Sequence, residues 1–267
     1  MISKTLHTLL IFSILFLLGS CGEYQKVLKS TDNDYKFEMA KEYYEEENYA
    51  RALPLLEELM NIYRGTPKAP QVYYYYAYTH FGEANYLLAS FHFKNFAKTF
   101  KNDEHAEECA FMAAKCYYLN SPRYSLDQTN TYKALEELQL FINTHPGSER
   151  IEESNKLMAD LRLKLEKKSF EKAKLFLQTE NFKSAIIAFE STLNDFPDTK
   201  RKEEIYFHQL EAHYLLAEAS VVSKQVERMK DAEKAYKKYI STFPSGEFKS
   251  EAEVLGKKIN SRLEQVN

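Results

Sequence analysis

The stretch QVYYYYAYTHF, Gln71 to Phe81, decides the fold. Four consecutive tyrosines, Tyr73 to Tyr76, favour a strand on propensity alone, yet no turn residues follow that would close a hairpin. Wound as a helix, the same letters separate into two faces. Tyr73, Tyr76, Ala77 and His80 fall on one, while Tyr74, Tyr78 and Phe81, at i, i+4 and i+7, form a second stripe. The surrounding chain supports the helix. Its 267 residues contain 7 Gly, 7 Pro and no Trp, and long periodic segments run between the few breakers, so an all-α chain is expected.

Moving outward from Ala77, the same pattern recurs at a fixed offset. Ala40 and Ala114 lie 37 residues to either side. A second alanine follows twelve residues after the first in NYARALPLLEELMNIY (Ala52) and NYLLASFHFKNFAKTF (Ala89), and the same gap links Ala173 to Ala185. In two further units, Ala114 to Ala134 and Ala212 to Ala232, the gap is 20 because of the inserts NSPRYSLDQTN and AEASVVSKQVERM. Three units end in proline, at Pro146, Pro197 and Pro244, where the first two carry Arg64 and Lys101. Small residues at two fixed positions let paired helices approach closely, and proline stops the second of them.

This pattern resembles the tetratricopeptide repeat, a helix–turn–helix unit of about 34 residues. The resemblance implies a right-handed α-solenoid of about five repeats over residues 32–247, closed by a helix from about Ser250 to Val266. GSERIEESNKLMADLRLKLEKKSFEKAKLFLQTENF, with Leu157, Leu161 and Leu165 at helical spacing, reads as one long helix between a front part (32–148) and a rear part (149–267). Overlaying the first three units by 37 gives three rows: Phe37, Tyr74, Phe111; Lys41, Tyr78, Lys115; and Tyr44, Phe81, Tyr118. In tetratricopeptide proteins these positions line the concave groove. Rings flanked by two cations suit a peptide with aromatic side chains and a C-terminal carboxylate.

The N-terminus has different physics. MISKTLHTLLIFSILFLLGSC has one early cation, Lys4, an apolar run from Leu9 to Leu18, and small residues before Cys21. About ten apolar residues are too few to span a bilayer and match the middle of a secretory signal peptide. Leu18-Gly19-Ser20-Cys21 resembles a bacterial lipobox. That resemblance implies cleavage of residues 1–20, acylation of Cys21, a short lipid-anchored linker (21–31), and retention at the outer membrane, since Gly22 follows the cysteine and not Asp. Cys109 and Cys116 are seven apart, about 10.5 Å along a helix, and are expected as small core residues.

The chain carries no G-x-S-x-G, H-E-x-x-H, P-loop or metal-spaced Cys/His cluster. No catalytic residue, metal or cofactor beyond the lipid on Cys21 is therefore assigned. A net charge of −3 gives no reason to expect nucleic acid. Lipobox, repeat number and inserts together, with SLDQTNTYKALEELQLFINTHPGSE (125–149) and AKLFLQTENFKSAIIAFESTLNDFPDT (173–199), resemble the BamD family of the β-barrel assembly machinery. Membership would imply a non-enzymatic lipoprotein on the periplasmic face of the outer membrane. Its front part would bind C-terminal segments of unfolded outer-membrane protein clients, and its rear part a BamA-like barrel subunit, for folding and insertion. Another cell-envelope tetratricopeptide lipoprotein, an adaptor for peptidoglycan or division proteins, would share the same features.

Overall fold

The computed structural model describes residues 22–266, so the expected signal peptide (1–20) and the expected lipidation residue Cys21 lie outside the described residues. Among these there is no strand, and no helix is long and apolar enough to cross a membrane. The helices are α1 (22–28), α2 (Asn33–Glu45), α3 (Tyr49–Ile62), α4 (Ala69–Gly82), α5 (Tyr86–Thr99), α6 (Ala106–Leu119), α7 (Thr129–Thr144), α8 (Ile151–Gln178), α9 (Phe182–Asp195), α10 (Lys202–Glu218), α11 (Val222–Thr242) and α12 (Lys249–Val266). Helices α2 to α11 form five antiparallel hairpins at the expected register: a tetratricopeptide-like repeat fold, with the tyrosine run wholly helical in α4.

The hairpin connections explain how so few breakers suffice. Glu47, Ala84 and Glu180 adopt left-handed backbone, with φ of 57°, 58° and 61°. The next residue, Asn48, Asn85 or Asn181, donates its N–H to the carbonyl five back, at Tyr43, His80 or Phe176 (2.8, 3.0 and 2.8 Å). This is the closing bond of a Schellman cap. The carbonyl of that same Asn then accepts the first bond of the following helix, from Ala52, Ala89 or Ala185. One residue ends one helix and begins the next.

The far ends share another device. The residues at which α3, α5, α7, α9 and α11 stop are Tyr63, Phe100, His145, Phe196 and Phe243, each directly before Arg64, Lys101, Pro146, Pro197 or Pro244. Several of these rings pack on the ring one turn earlier, as Phe100 does on Phe96 at 5.1 Å and Phe243 on Tyr239 at 5.6 Å. Loss of proline in the first two repeats therefore does not move the stop.

The chain divides into two compact units. Unit 1 holds the residues up to Pro122 together with Gln128–Met158; unit 2 holds Arg123–Asp127 and Ala159 onward. The division falls inside α8 and not at 148/149, and the tip of the third-repeat insert belongs to unit 2. In unit 1, Val27, Phe37, Ala40, Tyr43, Ala52, Leu55, Leu56, Leu59 and Val72 form a contiguous core. Val27 makes α1 part of that core, where the sequence suggested a linker over residues 21–31. Cys109 and Cys116 are free and buried, as expected, and burial pushes the Cys116 thiol up to about 12. In unit 2, α8, α9 and α10 meet around Phe170, Ala173, Ala185, Phe189, Ile205 and Ala212, while α10, α11 and α12 meet around Leu210, Met229, Tyr239 and Ile259.

Candidate functional site

The three proposed rows do not share one environment. Phe37 and Phe111 are fully buried and belong to the core, so neither can line a groove. Phe37 packs edge-on against Tyr75 at 6.0 Å, and Phe111 against Phe141 at 5.5 Å. The next repeat covers each of these rings, with Tyr75 on Phe37 and Arg150 on Phe111. Tyr74, Tyr78, Phe81, Tyr44 and Tyr118 are half-buried and keep part of their surface open.

The lysines are engaged but to different degrees. Lys41 sits 5.2 Å over the Phe37 ring and pairs with Glu38, one turn away in its own helix, at 2.7 Å. Lys115 sits 5.5 Å over Phe111 and reaches Glu153 on α8 at 2.8 Å. Arg150, just before α8, covers the same Phe111 ring at 5.2 Å. In the third repeat the stripe is thus a fastening to the next helix: a ring and a cation, Phe111 and Lys115, meet a cation and a carboxylate spaced i, i+3, Arg150 and Glu153.

Unit 2 repeats that fastening at the equivalent place. Phe170 is buried beneath Lys174 (5.4 Å) and Arg201 (4.9 Å), and Glu204 lies 3.8 Å from Lys174 and 3.3 Å from Arg201. In α4 the same positions are tyrosines. Tyr74 stacks obliquely on His105 at 4.5 Å and donates to Glu108 at 3.3 Å; Tyr78 donates to the same carboxylate. Burial, reinforced by the Glu108 charge, pushes the Tyr74 phenol up to about 12 and raises Tyr78 further. Both hydroxyls therefore stay protonated and donate to Glu108, which also lies 3.9 Å from Arg150.

Tyr75 was assigned to neither stripe, yet it is the hub. Phe37, Tyr44 and Tyr74 all meet its ring edge-on, at 6.0, 5.3 and 5.9 Å. Beside it a cleft of about 260 Å³ opens between the starts of α4 and α6, lined by Pro67, Pro70, Gln71, Tyr74, Tyr75 and the 103–105 turn. A larger recess of about 660 Å³ near the start of α8 carries Glu104, Glu107, Glu108, Glu149 and Glu153 against Arg150. The recurring cation-x-x-Glu signal, His105/Glu108, Arg150/Glu153 and Arg201/Glu204, was present in the sequence and would have revealed the fastening.

The inner face of α4 holds the other ring set. His80 is buried, with both ring nitrogens unpartnered, and stacks on His92 at 5.2 Å and 10°. The Tyr73 hydroxyl lies 3.2 Å from His92 Nδ1, and Tyr76 packs edge-on against both imidazoles. Burial lowers both histidines; His92, which also feels the charge of His80, falls to about 4. Among the described residues no group of three His, Cys, Asp or Glu side chains is placed to hold a metal ion.

Against this geometry, the sequence model of the YfiO family, described as an outer membrane lipoprotein, matches residues 30–227. Among solved structures, a TPR-repeat protein from Bacteroides fragilis is 14% identical over 87% of this chain and 100% of its own, with a TM-score of 0.42. The TPR2AB domain of yeast Sti1, solved in complex with pHSP90, is 11% identical over 85% and 98%, with a TM-score of 0.41. No curated protein matches.

Proposed function

This chain belongs to the YfiO family of outer membrane lipoproteins, and from that premise we propose that it is a non-catalytic scaffold of the β-barrel assembly machinery. Lipid on Cys21 anchors it to the periplasmic face of the outer membrane. Unit 1 receives the C-terminal segments of unfolded outer-membrane proteins, and unit 2 docks the periplasmic part of a BamA-like barrel subunit. The second assignment follows from family membership alone.

One observation supports the client role: the open tyrosine edge of α4 adjoins a cleft, and Tyr75 in that cleft meets the Phe37 ring on which the readily released Lys41 rests. A terminal aromatic side chain enters beside Tyr74 and Tyr75. Lys41, one ring beyond through Phe37, takes the carboxylate. Its present partner Glu38 is 67% exposed, and exposed ion pairs of this kind are worth at most about 1 kcal/mol, so exchange is cheap. Lys115, held between Phe111 and Glu153, is the less available cation.

A labelled peptide ending in phenylalanine tests this by fluorescence anisotropy. Tyr74→Ala should weaken binding about tenfold, the equivalent of roughly 1.4 kcal/mol. Lys41→Ala should weaken the free-acid peptide and leave the C-terminally amidated one unchanged. Equal affinity of both variants and the parent for the free acid would remove this face as the client site.

A further inference from the structure

We propose that the outer face of α5, formed by Leu87, Leu88 and Phe91, is a bilayer contact, holding unit 1 on the membrane by shallow apolar insertion. This rests on the reading that Cys21 carries the lipid. The three side chains are 51%, 45% and 58% exposed and, at i, i+1 and i+4, lie on one side of the helix. Neither the core nor the fastening between repeats uses them.

The occupant follows from where the chain leaves the described structure. Residue 21 directly precedes Gly22, and α1, starting at Gly22, is docked with no slack. Val27 is buried; the Tyr24 ring meets Tyr43 at 5.7 Å; its hydroxyl donates to the Arg51 carbonyl at 3.3 Å. One residue spans at most about 3.6 Å, so acyl chains on Cys21 bring the bilayer against the surface around the start of α1.

That surface leads to α5. The start of α1 lies on the start of α3, where the Tyr49 ring stands so close to Gly82 that a Cβ there would meet it at 2.2 Å. Gly82 closes α4, and α5 begins at Tyr86, just beyond. At helix spacings of about 8–10 Å, the start of α5 is within roughly 20 Å of the tether. The equivalent positions on α3 are Ala50, Arg51 and Pro54, and on α7 Tyr132, Lys133 and Glu136. Of these three outer faces, that of α5 alone carries no charged residue. The nearby hairpin turns carry Glu45, Glu46, Glu47 and Glu83, which oppose attraction to anionic headgroups, so the contact is apolar and insensitive to salt.

Because the chain has no tryptophan, Phe91→Trp creates a single reporter, and Leu88→Trp a second should the first perturb folding. The full-length lipidated protein is reconstituted into phosphatidylethanolamine–phosphatidylglycerol vesicles carrying brominated acyl chains. Co-flotation reports the anchor; emission reports the patch. The expected result is co-flotation with a shift to shorter wavelength and quenching, unchanged by added salt, and lost in a Leu87→Ser Leu88→Ser background that still floats. Water-like emission from floated protein, or quenching that arises only with a protein partner, overturns the patch while leaving the anchor. Failure to float removes the anchor and the patch with it.

Discussion

Helices α4 and α8 occupy the same place in their repeats and fasten to the next hairpin in opposite chemistries. In α8 a phenyl ring, Phe170, is sealed beneath Lys174 and Arg201, and Glu204 neutralises the pair. In α4 two phenols, Tyr74 and Tyr78, share Glu108, and a histidine stands where the arginine would. The phenyl version removes all its apolar surface from water and closes. The phenol version satisfies its hydroxyls on one carboxylate and leaves ring edges open. One register therefore produces a sealed core fastening in one helix and a half-open ring surface beside a cleft in the other.

The sharpest way to break this comparison is truncation. Phe170→Ala should cost about 3–5 kcal/mol of stability in denaturant unfolding, as for a fully buried phenylalanine, whereas Tyr74→Ala should cost about 1–2 kcal/mol. Equal losses would make the α4 stripe core. Next in size is the acid response of the α4–α5 hairpin. Its His80 and His92 are held neutral in the fold, so the unfolded chain takes up protons first, near pH 6.5. Stability should be full above that value and decline as pH falls toward about 4, the folded value for His92, by roughly 3 kcal/mol. The fourth repeat carries Phe176 and Ala188 at these positions. His80→Phe with His92→Ala should abolish the pH dependence of the hydrogen-exchange protection factors, which are corrected for the intrinsic rate at each pH, in α4 and α5. A response that survives would assign the acid sensitivity to other groups, such as Glu83 and Glu57, whose charges act on His80. Smallest is removal of the carboxylates. Glu204→Gln should cost under about 1 kcal/mol, since its pairs are partly exposed, and leave tyrosine ionisation unchanged. Glu108→Gln should let Tyr74 and Tyr78 ionise at lower pH in alkaline absorbance titration. No shift in that titration would mean that Glu108 does not hold the phenols.

Most of the fold was legible because its signals are local and periodic. Alanines 37 apart, a twelve-residue step and closing prolines specify helix pairs before any tertiary contact is known. The hairpin turns were less visible: Glu47, Ala84 and Glu180 take left-handed backbone without glycine, held by the cap bonds of the following asparagine. The docking of α1 was missed because seven residues with one buried valine leave no periodic trace. For the site, offset arithmetic placed Tyr74, Tyr78 and Phe81 correctly on one stripe but treated Phe37 and Phe111 as their equals.

What the sequence determined by itself is the set of repeat helices, their pairing order and the positions that recur, since all three follow from spacing along the chain. What only the tertiary structure decided is which recurring rings are covered. Burial depends on the residue that the next hairpin brings to the start of its first helix. Arg150 and Arg201 close over a phenylalanine there, and Glu108 holds a pair of phenols at the edge of a cleft.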